Sequence, residues 1–297
     1  MLNSLIVRCI LQLNALIPMT KVHKELLQAK RTVRDYQKWE YDEIVRIYKD
    51  FAPWWELQGK RLLDVGCGLG GKLPFYAEQG ARKVIGVDLR PFSAFAAAHL
   101  ACEQGKSSGV ICVAIADGLT LPFQDNSFDA IISVNVFEHV VDPLSVLQEC
   151  YRVLRPNGYL YLYFPPFYSP WGAHLDGWIN FPWPHLIFSE QNLVRAAAQV
   201  ELQKSLNAQF IPPAQVFWAN LDTLPELNRL TIRQFLELVN RAKFKILECR
   251  LLPVGRHFLQ SIQLGGFFLI FLKILSLVPR INELIVTKIV CVMIKEG

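Results

Sequence analysis

Leu62-Leu63-Asp64-Val65-Gly66-Cys67-Gly68-Leu69-Gly70-Gly71 is the stretch that decides the fold of this chain. An aliphatic run carrying one acid leads directly into six residues of which four are glycine. Such a run reads as a strand turning into a helix, because glycines let the backbone turn sharply and admit a ligand that a Cβ would exclude. Gly66, Gly68 and Gly71 also satisfy the dinucleotide spacing G-x-G-x-x-G, so the glycines alone leave the ligand open. Asp64 discriminates: an acid at the head of the loop repels a pyrophosphate and suits a zwitterionic or cationic ligand.

Outward from this loop, short apolar runs at 61–65, 83–87, 110–115, 128–134 and 159–164 read as strands. Segments 71–79, 91–104 and 143–154 read as helices between them, the last stopped by the turn Pro156-Asn157-Gly158. Continuous apolar strands alternating with helices imply a mostly parallel sheet covered on both faces. A helix at 231–242 and strands at 244–252 and 284–295 return the chain to that sheet, the last strand antiparallel at or near its edge.

Asp88 ends the second strand, 22 residues after Gly66, where an acid can accept two hydrogen bonds from ribose hydroxyls. Both cofactor classes use such an acid. Asp117-Gly118 follows the third strand, and Leu121-Pro122-Phe123, Asp125 and Ser127-Phe128-Asp129 follow it, an arrangement that hydride transfer does not require. Phe137-Glu138-His139-Val140-Val141-Asp142-Pro143 and Arg152-Val153-Leu154-Arg155-Pro156-Asn157-Gly158 complete the series.

Across residues 40–165 the sequence closely resembles the class I S-adenosylmethionine-dependent methyltransferases, in particular the methyltransferase type 11 group. The resemblance implies an α/β, doubly wound, mostly parallel seven-stranded sheet of Rossmann-like form. It implies S-adenosylmethionine as cofactor, with Asp64, Gly66, Cys67, Gly68 and Gly70 around the methionine part and Asp64 near its amino group. It assigns Asp88 and its neighbour Leu89 to the ribose, Asp117 and Gly118 to the adenine, and Asn135 to the position beside the sulfonium. No Lys or Arg in the loop is offered to a phosphate.

Methyl transfer from a sulfonium is an in-line displacement, so alignment in a water-poor site supplies much of the catalysis. A base is needed only for a hydroxyl, phenol or acidic carbon acceptor. His139 is the candidate base, since histidine suits proton transfer at neutral pH. The bland alternative is that it caps or packs the following helix.

The rest of the chain decorates this core. Residues 2–17 place Leu2, Leu5, Ile6, Cys9, Ile10, Leu13, Leu16 and Ile17 on one side of an amphipathic helix. A second helical stretch spans about 21–49, and residues 1–50 form an N-terminal arm ahead of a core at 51–170. Residues 161–188 hold ten aromatics and five prolines, too proline-rich for regular structure, so 171–230 reads as a lid or substrate insertion. Residues 231–297 finish the core, with an apolar insertion at 264–278 too short to span a bilayer. His174, Asp176 and His185 match no strong ligand spacing, and no metal is expected.

The net charge of +5 resides in residues 1–34, where six basic residues face Glu25 alone. Beyond that arm no basic stripe appears, which disfavours a nucleic-acid partner. A basic, apolar arm and the 264–278 segment together suit peripheral contact with an anionic membrane. Seven scattered cysteines without paired spacing, and the absence of a cleavable leader pattern, suggest a cytoplasmic protein, with contact at the inner membrane surface. The expected function is methyl transfer to an oxygen or carbon of a small, apolar or lipid-linked acceptor. A non-catalytic scaffold of the same fold and a nicotinamide-dependent oxidoreductase are the alternatives.

Overall fold

The computed structural model describes residues 2–17, 32–103, 110–175, 178–207, 227–254, 274–275, 278 and 280–297. The chain divides into two compact units, a division different from arm, core, insertion and tail. One unit comprises residues 33–164, 230–251 and 288–297; the other gathers 1–32, 165–229 and 252–287.

After α1 (Leu2–Leu16) of the other unit, the sheet unit opens with α2 (Val33–Ile47), which leads through a 3-10 turn at Tyr48–Phe51 into β1 (Arg61–Val65). There follow α3 (Leu73–Glu78), β2 (Lys83–Asp88), α4 (Pro91–Glu103), β3 (Ile111–Ile115), β4 (Phe128–Val134), α5 (Pro143–Val153) and β5 (Leu154–Phe164). After α6 (Pro184–Ile187) and α7 (Glu190–Asn207) of the other unit come α8 (Ile232–Arg241), β6 (Lys245–Pro253), α9 (Ile281–Ile285) and β7 (Val286–Ile294).

The seven strands run in the order β3-β2-β1-β4-β5-β7-β6, with β1 to β5 mutually parallel and β7 antiparallel to β5. The final strand thus lies one place inside the edge, which β6 occupies. Strand order reverses between β1 and β4, and in such sheets ligands bind at the carboxyl ends beside that switch point. β1, β2 and β4 are buried almost throughout, which accounts for their continuous apolar sequence.

Local chemistry sets the element ends. α5 starts at Asp142, whose carboxylate accepts from the backbone of Leu144 and Ser145. α8 starts with a capping box between Thr231 and Gln234. The Pro156-Asn157-Gly158 turn is not the break before β5 that the sequence suggests; β5 begins at Leu154 and absorbs it as a bulge, between the Phe128↔Leu154 and Ala130↔Tyr159 pairs. Lys295 holds the bulge, its carbonyl accepting from Asn157 N–H and its own N–H donating to Gly158 O.

The Arg152 guanidinium grips the loop after β3 through Leu121 O, Phe123 O and Asp125, besides Glu149. Asp129 joins Arg155 to the first backbone N–H of β1. These parts of the resembled motifs hold the frame.

The other unit is helical. Val7 and Ile10 of α1 are buried among Ala173, Leu175, Trp178, Ile179 and Phe181 and the Leu193, Ala196 and Ala197 face of α7. Asn14 of α1 donates to Trp178 O at 2.7 Å and accepts from Asn180 N–H, while Trp178 donates to Glu201. The segment expected to be a loop insertion therefore contains an 18-residue helix, and residues 2–17 form its packing partner rather than a separate arm. Asp176 and most of 264–278 lie outside the described residues.

Candidate functional site

All the residues expected at the cofactor lie in the sheet unit, at the carboxyl ends of β1, β2, β3 and β4. Val87 O at the end of β2 accepts from both Gly66 N–H and Cys67 N–H, at 2.9 Å each, which turns the chain off β1. Gly66 and Gly68 have φ of +77° and +59°, in the left-handed region that glycine adopts without cost. A Cβ on Gly66 would overlap the Val136 side chain, and one on Gly68 would overlap Glu40 Oε1. Gly70 shares the positive φ.

Asp88 closes the loop from beneath: its carboxylate accepts from Gly68 N–H at 3.0 Å and from Arg90 N–H at 3.0 Å. An ionised carboxylate has about four acceptor sites, so two remain for a ligand hydroxyl pair. Leu89 next to it is 64% exposed. Asp117 accepts from Leu119 N–H at 2.9 Å, folding the turn after β3, and a Cβ on Gly118 would come into ordinary contact with Val65 and Val146. Cys67 is fully buried, and burial pushes its thiol pKa up.

Asp64 is 0% exposed, and neither carboxylate oxygen has a hydrogen-bond partner among the described residues. Lys72 Nζ lies 3.8 Å away. Burial dominates and raises the Asp64 pKa to about 6, with Lys72 opposing. A buried carboxylate in that condition is costly without a cation or donor. A buried acid at the head of a glycine cradle, with Lys72 3.8 Å away and Tyr76 beside it, still has acceptor capacity for the ammonium of an amino-acid moiety, so these residues fit S-adenosylmethionine.

Asn135 follows β4 with φ +56°. Its N–H donates to Tyr163 O at 2.7 Å, its amide donates to Glu43 at 3.0 Å, and its amide oxygen accepts from Lys288 at 2.6 Å. These bonds set which way the amide faces. His139 is half-buried and turns back with its N–H on Val136 O. The cap of α5 is Asp142, so that part of the bland reading of His139 fails. Glu138 beside it is buried, and burial raises its pKa against His139 and Lys288.

Sequence reasoning missed Gln37, Glu40 and Lys72. The first two stand with Ile44 and Ile47 on the buried stripe of α2, and polar residues at apolar-stripe positions are the signal that marks them. Lys72, just past the loop and 4% exposed, donates to Gly66 O at 3.2 Å. Spent there and on Asp64, it is a support rather than a phosphate ligand.

Residues 63–162 match the family model of the methyltransferase domain. The ubiquinone biosynthesis O-methyltransferase of Idiomarina loihiensis is 36% identical over 124 residues, 41% of this chain and 47% of that protein. The chloroplastic tocopherol O-methyltransferase of Arabidopsis thaliana is 35% identical over 99 residues, 33% of this chain and 28% of that protein. The chain thus spans half or less of the length of these curated relatives. An S-adenosylmethionine-dependent methyltransferase structure from Mesorhizobium loti shares the fold, with TM-score 0.53, 16% identity, and coverage of 89% of this chain and 100% of that one. Over residues 63–162 the likeness is thus to a methyltransferase domain, and the Mesorhizobium loti structure shares with the chain the expected class I fold.

Proposed function

We propose that this protein transfers a methyl group from S-adenosylmethionine to an oxygen or carbon of a small, apolar or lipid-linked acceptor. The observation that carries the reading is Asp64, a carboxylate 0% exposed at the head of the glycine loop with Lys72 Nζ 3.8 Å away. When bound, the cofactor supplies an electrophilic methyl on a sulfonium. Asp64 would take the ammonium, Gly66, Cys67, Gly68 and Gly70 would line the methionine part, Asp88 and Leu89 the ribose, and Asp117 and Gly118 the adenine. Asn135, its amide locked by Glu43 and Lys288, would face the reacting end, and His139 would take the acceptor's proton. The ubiquinone biosynthesis and tocopherol O-methyltransferases among the relatives support an apolar acceptor.

Calorimetric titration with S-adenosylhomocysteine tests the cofactor: micromolar binding, about −8 kcal/mol, is expected, and a folded protein that does not bind overturns the reading. Turnover of labelled cofactor with a lipid extract then tests the acceptor class.

We also read the protein as cytoplasmic and in peripheral contact with the inner membrane surface through residues 2–17 and 264–278. Among the described residues no helix is long and apolar enough to cross a membrane. Leu5, Leu13 and Leu16 remain exposed on α1 after Val7 and Ile10 are buried, and the basic residues of the arm follow in sequence. Co-sedimentation with anionic vesicles that fails at low salt would remove this part.

A further inference from the structure

Behind the glycine loop lies a buried charged cluster that the assignment above does not use. Gln37 of α2 donates to Leu69 O at 2.9 Å and to Ala96 O at 3.1 Å. Glu40, one turn on, accepts from Leu69 N–H at 3.2 Å and from Gly71 N–H at 2.9 Å. A helix from well upstream therefore holds three backbone groups of the loop. Gly71 leaves room for it, since a Cβ there would overlap Gln37 O.

Holding backbone N–H groups does not by itself require a charge; a neutral acceptor would do so without the desolvation cost. Glu40 is only 5% exposed, and the cation set against it is Lys72, which is also set against Asp64. Burial works against the charge on Lys72, yet Asp64 and Glu40 outweigh it and raise its pKa. With both acids ionised, the one ammonium, 3.8 Å from Asp64, is set electrostatically against two carboxylates, so these three groups carry a surplus negative charge. S-adenosylmethionine has a sulfonium and an ammonium against one carboxylate, whereas the product S-adenosylhomocysteine is a neutral zwitterion.

We propose that Glu40 is a positioning residue that shapes the glycine loop and, across Lys72, leaves Asp64 with surplus negative charge that favours the cationic cofactor over the neutral product. The inference rests on the cofactor reading above. The groups facing Glu40 are Lys72, Asp64, Cys67, Tyr76 and Tyr36. Burial, the largest cause in each case, raises Glu40 to about 7 and Asp64 to about 6. The preference for S-adenosylmethionine over S-adenosylhomocysteine is therefore expected to grow as pH rises through this range, in steps that belong to the cluster.

The test is calorimetric titration with both ligands from pH 5.5 to 8.5 for the wild type, Glu40→Gln and Glu40→Asp. Glu40→Gln is expected to weaken S-adenosylmethionine roughly tenfold and S-adenosylhomocysteine much less, and to flatten the upper pH step. Glu40→Asp, which keeps the charge and shortens the reach, is expected to weaken both ligands and retain their ratio. Equal losses for both ligands with an unchanged pH profile would overturn the proposal, as would an unchanged Glu40→Gln. If Glu40→Gln does not fold, the wild-type ratio decides alone: a ratio constant across pH overturns the proposal. A wild type that binds neither ligand overturns the cofactor reading itself.

Discussion

The glycine loop of the sheet unit is built from residues close in sequence: Asp64, Gly66, Gly68 and Gly70 form one loop, and Asp88 closes it from the next strand. In the helical unit, Val7 and Ile10 share a core with Leu193, Ala196 and Ala197 from the far side of the chain's midpoint. The first arrangement depends on backbone geometry that few residue types can supply. The second depends on apolar area, which many can. A motif can therefore be read from the sheet unit, while the helical unit shows only composition.

This contrast can be broken by substitution. Asp88→Ala removes both the acceptor for Gly68 N–H and the candidate ribose ligand, and is expected to lower S-adenosylhomocysteine affinity by at least about a hundredfold in calorimetry. Ile10→Ala, in the core of the helical unit, is expected to cost about 2–5 kcal/mol of that unit's stability in thermal unfolding. The contrast predicts that cofactor affinity changes less than about twofold in this variant; a large loss would show that the helical unit helps shape the cofactor site. Gly68→Ala combines left-handed strain of about 1–2 kcal/mol with overlap on Glu40, and a loss of roughly tenfold in affinity is expected.

Protonation gives a finer division. Asp64 and Glu40 bind protons more tightly folded than unfolded, about 6 and 7 against 3.8 and 4.5. Their contribution to folding is thus fully present below about pH 4 and is lost as pH rises through 6 to 7. Cofactor affinity is expected to move the other way, because the ionised forms bind it. Melting temperatures with and without S-adenosylhomocysteine across this range would diverge as pH rises, and parallel curves would refute the assignment. The smallest effect belongs to Asp142→Ala, which removes the α5 cap for about 1 kcal/mol, read as a modest drop in melting temperature.

Much of the sheet unit is legible in the sequence. Strand 61–65 was anticipated residue for residue, and 128–134 likewise, because buried parallel strands are continuous apolar runs with polar ends. The start of β5 is not legible in the sequence: Pro156-Asn157-Gly158 makes a turn, and only the pairing of Leu154 with Phe128 before it and of Tyr159 with Ala130 after it shows that the strand continues. α7 lies behind an aromatic, proline-rich stretch that reads as a loop, although its own Ala- and Gln-rich sequence favours a helix.

The sequence by itself determined the strand–glycine–helix turn, the acids at the strand ends and hence the class of ligand, because those features depend on neighbours within a few residues. Only the tertiary structure decided that Glu40, Lys72 and Asp64 meet in one buried cluster, and that Lys288 and Glu43 hold the amide of Asn135. Burial is what makes those groups matter. It removes the water that would otherwise screen their charges and satisfy their hydrogen bonds, and it depends on how distant segments pack.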